Sequence, residues 1–132
     1  MIHPDYNSAT ALKAYLDSKN MSMQKKFGQN FLLNKNAREK IALLLNLSKS
    51  DIVWEVGPGL GCMTEVFLEK AGKVKAFEID RGFIESLKSF LQEEEKNGSF
   101  QLIQGDVLKN WQKEAEDASV NNSKDLHIKL AG

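Results

Sequence analysis

The chain has 132 residues, 42% hydrophobic and 27% charged, and its 18 basic and 18 acidic side chains cancel. That length fits one domain, and the balance is that of a soluble globular protein, which excludes a largely disordered chain. Zero net charge excludes a grip on nucleic acid over the whole surface, and a single cysteine, Cys62, excludes an internal disulfide.

No apolar run is long enough to span a bilayer, and the N-terminus lacks a charged-then-apolar leader pattern. The expectation is therefore a cytoplasmic protein without membrane contact. Asn7 or Ser8 can cap a first helix in which Leu12, Tyr15 and Leu16 fall on one face. Residues 21–33 place Lys25, Lys26, Gly28 and Gln29 between Phe27 and Phe31, which reads as an ordered loop. Its phenylalanines suit core plugs as well as ligand contacts. Asn34 can cap a second helix carrying Ala37, Ile41, Leu44 and Leu45 on its inner face.

Four strand candidates then alternate with helices: residues 51–56, 73–79, 100–104 and 126–131. Met63, Val66, Phe67 and Ala71 mark one intervening helix, with Gly72 expected to stop it. Phe83, Ile84, Leu87, Phe90 and Leu91 mark another, which runs out through residues 93–95 into an Asn97-Gly98 turn. Residues 111–125 are polar and poor in apolar periodicity beyond Trp111, and read as an exposed, partly helical connection. Strands and helices of these lengths in alternation predict an α/β fold on a parallel sheet.

The first strand runs directly into Gly57-Pro58-Gly59-Leu60-Gly61. A phosphate-cradling P-loop needs Lys-Ser or Lys-Thr after its last glycine, where this chain has Cys62-Met63. A dinucleotide fingerprint would put its third glycine at Cys62. Glu55, two residues ahead of Gly57, bears on the choice. Two unit charges about 4 Å apart interact by roughly 4 kcal/mol at an effective dielectric near 20, repulsive for a pyrophosphate and attractive for an ammonium. Glycine permits positive φ and removes Cβ, so backbone can lie against a ligand, while Pro58 fixes its own φ. A tight strand-to-helix turn with no ligand would need the same glycines.

Two further acids favour a ligand. Glu78 ends the second strand about 20 residues after the first glycine, the spacing at which a carboxylate accepts from a ribose diol. Asp80 follows as a candidate cap for the next helix. Asp106 follows Gly105 at the end of the third strand, where it could accept from an adenine amine. Acids at successive strand ends point to a nucleoside with an amino-acid tail, and S-adenosyl-L-methionine fits that description.

Gly28-Gln29-Asn30-Phe31-Leu32, Glu55-Val56-Gly57-Pro58-Gly59-Leu60-Gly61, Phe77-Glu78-Ile79-Asp80 and Gly105-Asp106 together resemble the ribosomal RNA adenine dimethyltransferases. That family dimethylates two adjacent adenosines near the 3′ end of small-subunit ribosomal RNA. The resemblance covers residues 25–132 and implies a Rossmann-like S-adenosylmethionine-dependent methyltransferase fold, truncated after the fourth strand. It implies that Asn30 and Leu32 contact the cofactor from the N-terminal side, Gly57 and Gly59 back its methionine portion, Glu78 takes the ribose and Asp106 the adenine. It makes small-subunit ribosomal RNA or the pre-ribosomal small subunit the partner, and a monomer the expected state.

In the family the fourth strand is followed by Asn-Leu-Pro-Tyr, whose Asn side chain and Pro carbonyl hold the target amine and whose Tyr stacks on an extruded base. Here the sequence stops at Gly132, so the expectation is a cofactor-binding portion that lacks this motif and does not itself transfer methyl groups. Residues 1–24 read as a helical extension without an assigned role, and residues 25–132 as the N-terminal part of the methyltransferase domain. Cys62 reads as a small buried residue and His127 as a strand residue rather than a base. The related macrolide-resistance methyltransferases share the same plan. A nicotinamide dehydrogenase is disfavoured by Cys62 and Glu55, and a non-catalytic RNA-binding module would rest on Lys25, Lys26 and the first helix.

Overall fold

The computed structural model describes residues 3–21, 34–121 and 127–131. Among these, the elements run α1 (Ala9–Ser18), α2 (Lys35–Leu43), β1 (Asp51–Val56), α3 (Cys62–Lys70), β2 (Lys73–Glu78), α4 (Arg81–Phe90), α5 (Gln92–Asn97), β3 (Phe100–Gln104), α6 (Val107–Asn121) and β4 (His127–Ala131). The strands form one parallel sheet in the order β3-β2-β1-β4. The chain builds outward from β1 through β2 to β3, then returns to the other side of β1. The strand order therefore reverses between β1 and β4, and the crevice beyond their carboxyl ends is where ligands of open α/β sheets bind.

Helix starts follow side-chain chemistry. Ser8 caps α1, its Oγ accepting from the Ala11 amide at 3.1 Å. Asn7, the other candidate, instead accepts from Arg38 Nη2 at 3.1 Å. Asn34 caps α2 by accepting from the Asn36 and Ala37 amides at 2.8 and 3.4 Å. Asp80 caps α4 by accepting from the Phe83 amide at 3.1 Å. Each satisfies amides that the first helical turn leaves without partners.

Neighbouring strands share faces through their register, Val53 lying beside Val74 and Trp54 beside Lys75. Val53, Val74, Ala76 and Phe100 enter one core with Leu12 and Leu16 of α1, Ala42 of α2, Phe67 of α3 and Leu87 of α4. The opposite face carries Trp54 and Phe77, ring centroids 5.4 Å apart, and the buried Lys75. Leu130, beside Trp54 in the register, is 66% exposed, so among the described residues this face is open over β4.

Expectations are corrected at four places. Leu44, expected on the inner face of α2, is 84% exposed, and the helix buries Arg38 and Ala42 instead. Gly72 does not close α3 by a left-handed turn. Ala71 is the cap, in an extended conformation, and Gly72 is required because a Cβ there would collide with the Lys49 carbonyl oxygen. The helix after β2 does not run through residues 93–95; it breaks at Leu91, and those glutamates occupy the first turn of α5, where the helix dipole favours negative charge. The turn falls at Asn97-Gly98 as expected, with Gly98 at φ +85°. The expected, partly helical connection at residues 111–125 is helical through residue 121, but the 15-residue helix α6 begins earlier, at Val107. Its inward anchor is Glu114, paired with Lys75 at 2.9 Å, and a charged anchor leaves no mark in apolar periodicity. Among the described residues no helix is long and apolar enough to cross a membrane.

Candidate cofactor site at the glycine loop

The loop from β1 to α3 takes φ of +68° at Gly57, +59° at Gly59 and +91° at Gly61. Left-handed values at alternate positions demand glycine, since an L side chain would strain each one. Gly57 donates to the Phe77 carbonyl at 2.9 Å and Gly61 to the Pro58 carbonyl at 3.0 Å, which folds the loop back over the end of β2.

Glu78 is the hub of the site. Its carboxylate is 3% exposed and accepts from three backbone amides: Gly59 at 3.1 Å through Oε1, and Ile79 and Asp80 at 2.9 and 3.0 Å through Oε2. Its own carbonyl accepts from the Gly105 amide at 2.9 Å. One residue thus ties together the loops after β1, β2 and β3. A carboxylate offers about four lone-pair positions, so a ribose diol would meet an acceptor already engaged by the loop. Building the loop is the role its geometry displays; the sequence had suggested only the ribose.

Asp106 lies at the same edge of the sheet. Its Oδ1 accepts from the Leu108 amide at 2.9 Å and its carbonyl from Asn110 Nδ2 at 2.7 Å, contacts that start α6. The side chain is half-buried. Ile79, between Glu78 and the cap Asp80, is 73% exposed and presents an apolar surface at the mouth. Asn30 and Leu32 lie outside the described residues.

Glu55 behaves differently from a standing surface charge. It is 4% exposed, and Thr64 Oγ1 donates to its Oε1 at 2.5 Å. Burial pushes its pKa up to about 7, with the Thr64 hydroxyl opposing and the Glu78 carboxylate reinforcing the rise. Glu55 is therefore not the fixed negative charge expected from the sequence: at neutral pH the carboxyl is poised between its two forms. An ammonium brought close would favour the ionised one.

A native pKa of about 7 against an ordinary 4.5 means the folded state holds the proton more tightly. Stability is expected to fall as pH rises from about 4.5 to about 7 and to level off above that window. Glu55→Gln is expected to flatten this part of the profile, measured by thermal melts across pH. An unchanged slope would rule out Glu55 as its source.

Cys62, the first residue of α3, is buried, and its thiol is pushed up to about 11 mainly by desolvation and then by Glu55. It is a protonated core residue, as read from the sequence. Sequence reasoning missed the contribution of the N-terminal segment. The Tyr6 hydroxyl donates to the Leu60 carbonyl inside the glycine loop at 2.6 Å, and a contact across 54 residues has no local signature.

Residues 20–131 match the family model described as ribosomal RNA adenine dimethylase. The chain is 53% identical over 108 residues to a protein of Treponema denticola named ribosomal RNA small subunit methyltransferase A, covering 82% of this chain and 36% of that protein. A counterpart from Borreliella afzelii is 42% identical over 113 residues, covering 83% of this chain and 38% of the relative. The chain thus spans well under half the length of these curated relatives. The crystal structure of the 23S rRNA methyltransferase ErmE superposes with a TM-score of 0.51 at 27% identity, over 57% of this chain and 30% of that one. With its parallel α/β sheet, its glycine loop and a family match across 20–131, the chain belongs to the ribosomal RNA adenine dimethylase family.

Proposed function

We propose that this chain is the cofactor-binding part of an S-adenosyl-L-methionine-dependent enzyme that dimethylates two adjacent adenosines near the 3′ end of small-subunit ribosomal RNA. The observation that carries the reading is Glu78, buried at the carboxyl edge of the sheet and joining the loops that present Gly57, Gly59 and Asp106. The residues fit the cofactor's chemistry. Backbone without Cβ lines one side, Glu78 and Asp106 supply acceptors for hydroxyl and amine donors, and Ile79 gives an apolar face for a base.

When bound, the cofactor supplies an activated methyl group on a sulfonium. This chain's own residues bind and orient: the positive-φ glycines admit close approach, Glu78 holds the loop rigid, and Glu55 can complement positive charge nearby. Placement of the reacting groups in line accounts for much of the rate in such direct transfers. Asn30 and Leu32 complete the site from the N-terminal side in this reading. Residues 25–132 form the N-terminal part of the methyltransferase domain, residues 1–24 precede it, and the protein works as a cytoplasmic monomer on the small ribosomal subunit or its precursor.

A large-subunit target is the second reading, favoured by the similarity to ErmE; the small-subunit name of the 53%-identical relative favours the first. Incubation of the full-length protein with labelled S-adenosylmethionine and unmethylated ribosomal subunits separates them. Dimethyladenosine in the small-subunit RNA is the expected product, and label confined to the large-subunit RNA would establish the alternative. The 132 residues alone are expected to bind cofactor without transfer, and product above background would overturn that part.

A further inference from the structure

Residues 3–19 lie outside the segment matched by the family model, yet Tyr6, Leu12 and Leu16 enter the same core as Leu60 of the glycine loop. Tyr6 is 2% exposed, and its hydroxyl donates to the Leu60 carbonyl at 2.6 Å. Leu60 stands between Gly59 and Gly61, the two left-handed glycines nearest α3. The ring has two further neighbours: His3 stacks on it with centroids 3.8 Å apart, and the Arg38 guanidinium lies 6.0 Å from its centroid. The contacts extend to neighbouring parts of the segment. Arg38 Nη2 donates to Asn7, and His3 Nε2 lies 3.2 Å from Glu65 Oε2 in the first turn of α3.

A purely structural role would need only the ring. A phenylalanine fills the same apolar space, whereas a buried hydroxyl is costly unless it is hydrogen-bonded. Burial above all, with smaller contributions from Cys62, Glu65 and Glu55 and an opposing one from Arg38, raises the phenol well above its ordinary range, so the oxygen keeps its proton and acts as donor. The loop is thereby held from two directions. Glu78 pulls on the Gly59 amide from inside the sheet, and Tyr6 pulls on the next residue's carbonyl from outside it.

We propose that Tyr6 is a positioning residue for the cofactor: through its bond to the Leu60 carbonyl, the N-terminal segment holds the Gly59-Leu60-Gly61 backbone in the form the ligand requires. The proposal rests on reading the glycine loop as the S-adenosylmethionine site. Tyr6 touches neither cofactor nor substrate; it acts through the peptide it fixes.

Tyr15 supplies the matched control. It belongs to the same segment, and its hydroxyl donates to Ser86 Oγ of α4 at 2.9 Å, away from the loop. In the full-length protein, Tyr6→Phe is expected to weaken S-adenosylhomocysteine binding about two- to tenfold, the effect of one hydrogen bond. It should raise the KM for S-adenosylmethionine by a similar factor and leave kcat at saturating cofactor unchanged. Tyr15→Phe should leave affinity and KM unchanged at a temperature where all three proteins are folded. Equal losses in both variants would mean simple docking of the segment and would overturn the proposal. Wild-type affinity in Tyr6→Phe would overturn it while leaving the cofactor reading intact. No S-adenosylhomocysteine binding by the wild type would overturn that reading, and the proposal with it.

Discussion

Glu78→Ala is expected to weaken S-adenosylhomocysteine binding by about 1.5–3 kcal/mol, roughly ten- to a hundredfold, the range for hydrogen bonds to a charged group. The loss should come with a lower melting temperature, because the three amides that Glu78 accepts would face a vacated, mostly buried space. The carboxylate spans two directions: Oε1 faces Gly59, while Oε2 faces Ile79 and Asp80. Glu78→Gln has one acceptor oxygen and would turn an amide NH2 toward at least one existing donor. It is therefore expected to resemble the alanine variant more closely than the wild type in calorimetric titration and melting. If Gln matched the wild type in both, the two-sided tether could not be what holds the loop.

Breaking the Lys75–Glu114 pair is expected to have the largest effect on stability. The two side chains are 6% and 10% exposed and 2.9 Å apart, and the Lys75 ammonium also lies 5.6 Å from the centre of the Trp54 ring. Glu114→Ala would leave that ammonium beneath α6 without its counter-charge, at a cost of about 3–5 kcal/mol. Replacing both partners, Lys75→Met with Glu114→Leu, removes the desolvation cost along with the attraction and is expected to be close to neutral. Urea denaturation of Lys75→Met, Glu114→Leu and the double variant measures the coupling directly. Additive single losses would refute a mutually dependent pair. Function is tied to the result, because α6 starts immediately after Asp106. A loosened α6 should disturb the adenine end of the proposed site more than the glycine loop.

Most of the scaffold was legible because its signals are local. Residues 51–56 and 100–104 are strands as expected, and the β2 boundary differs by one residue. Ser8, Asn34 and Asp80 cap the helices they were expected to cap, since a capping side chain needs only amides two or three residues ahead. The glycine loop was legible for a related reason: the need for positive φ is written into residue type. Helix α6 was legible only as a partly helical connection, because its buried position is occupied by glutamate. A charged residue reads as surface until its partner on another element is known.

The site divides along the same line. From the sequence alone came the parallel α/β plan, the carboxyl edge as the place of the site, and Gly57, Gly59, Glu78 and Asp106 as the residues to watch. Strand-end position and side-chain chemistry pointed to Glu78, Asp106 and the glycine loop, and the family resemblance singled out Gly57 and Gly59 within that loop. Only the tertiary structure decided how they work together. Glu78 bonds to Gly59 across the gap between β2 and the β1–α3 loop, Glu55 turns toward Thr64 and is shifted by burial toward its neutral form, and Tyr6 reaches Leu60 from the far end of the chain. Desolvation and long-range contacts depend on what the folded chain brings near a residue, and no stretch of sequence carries that by itself.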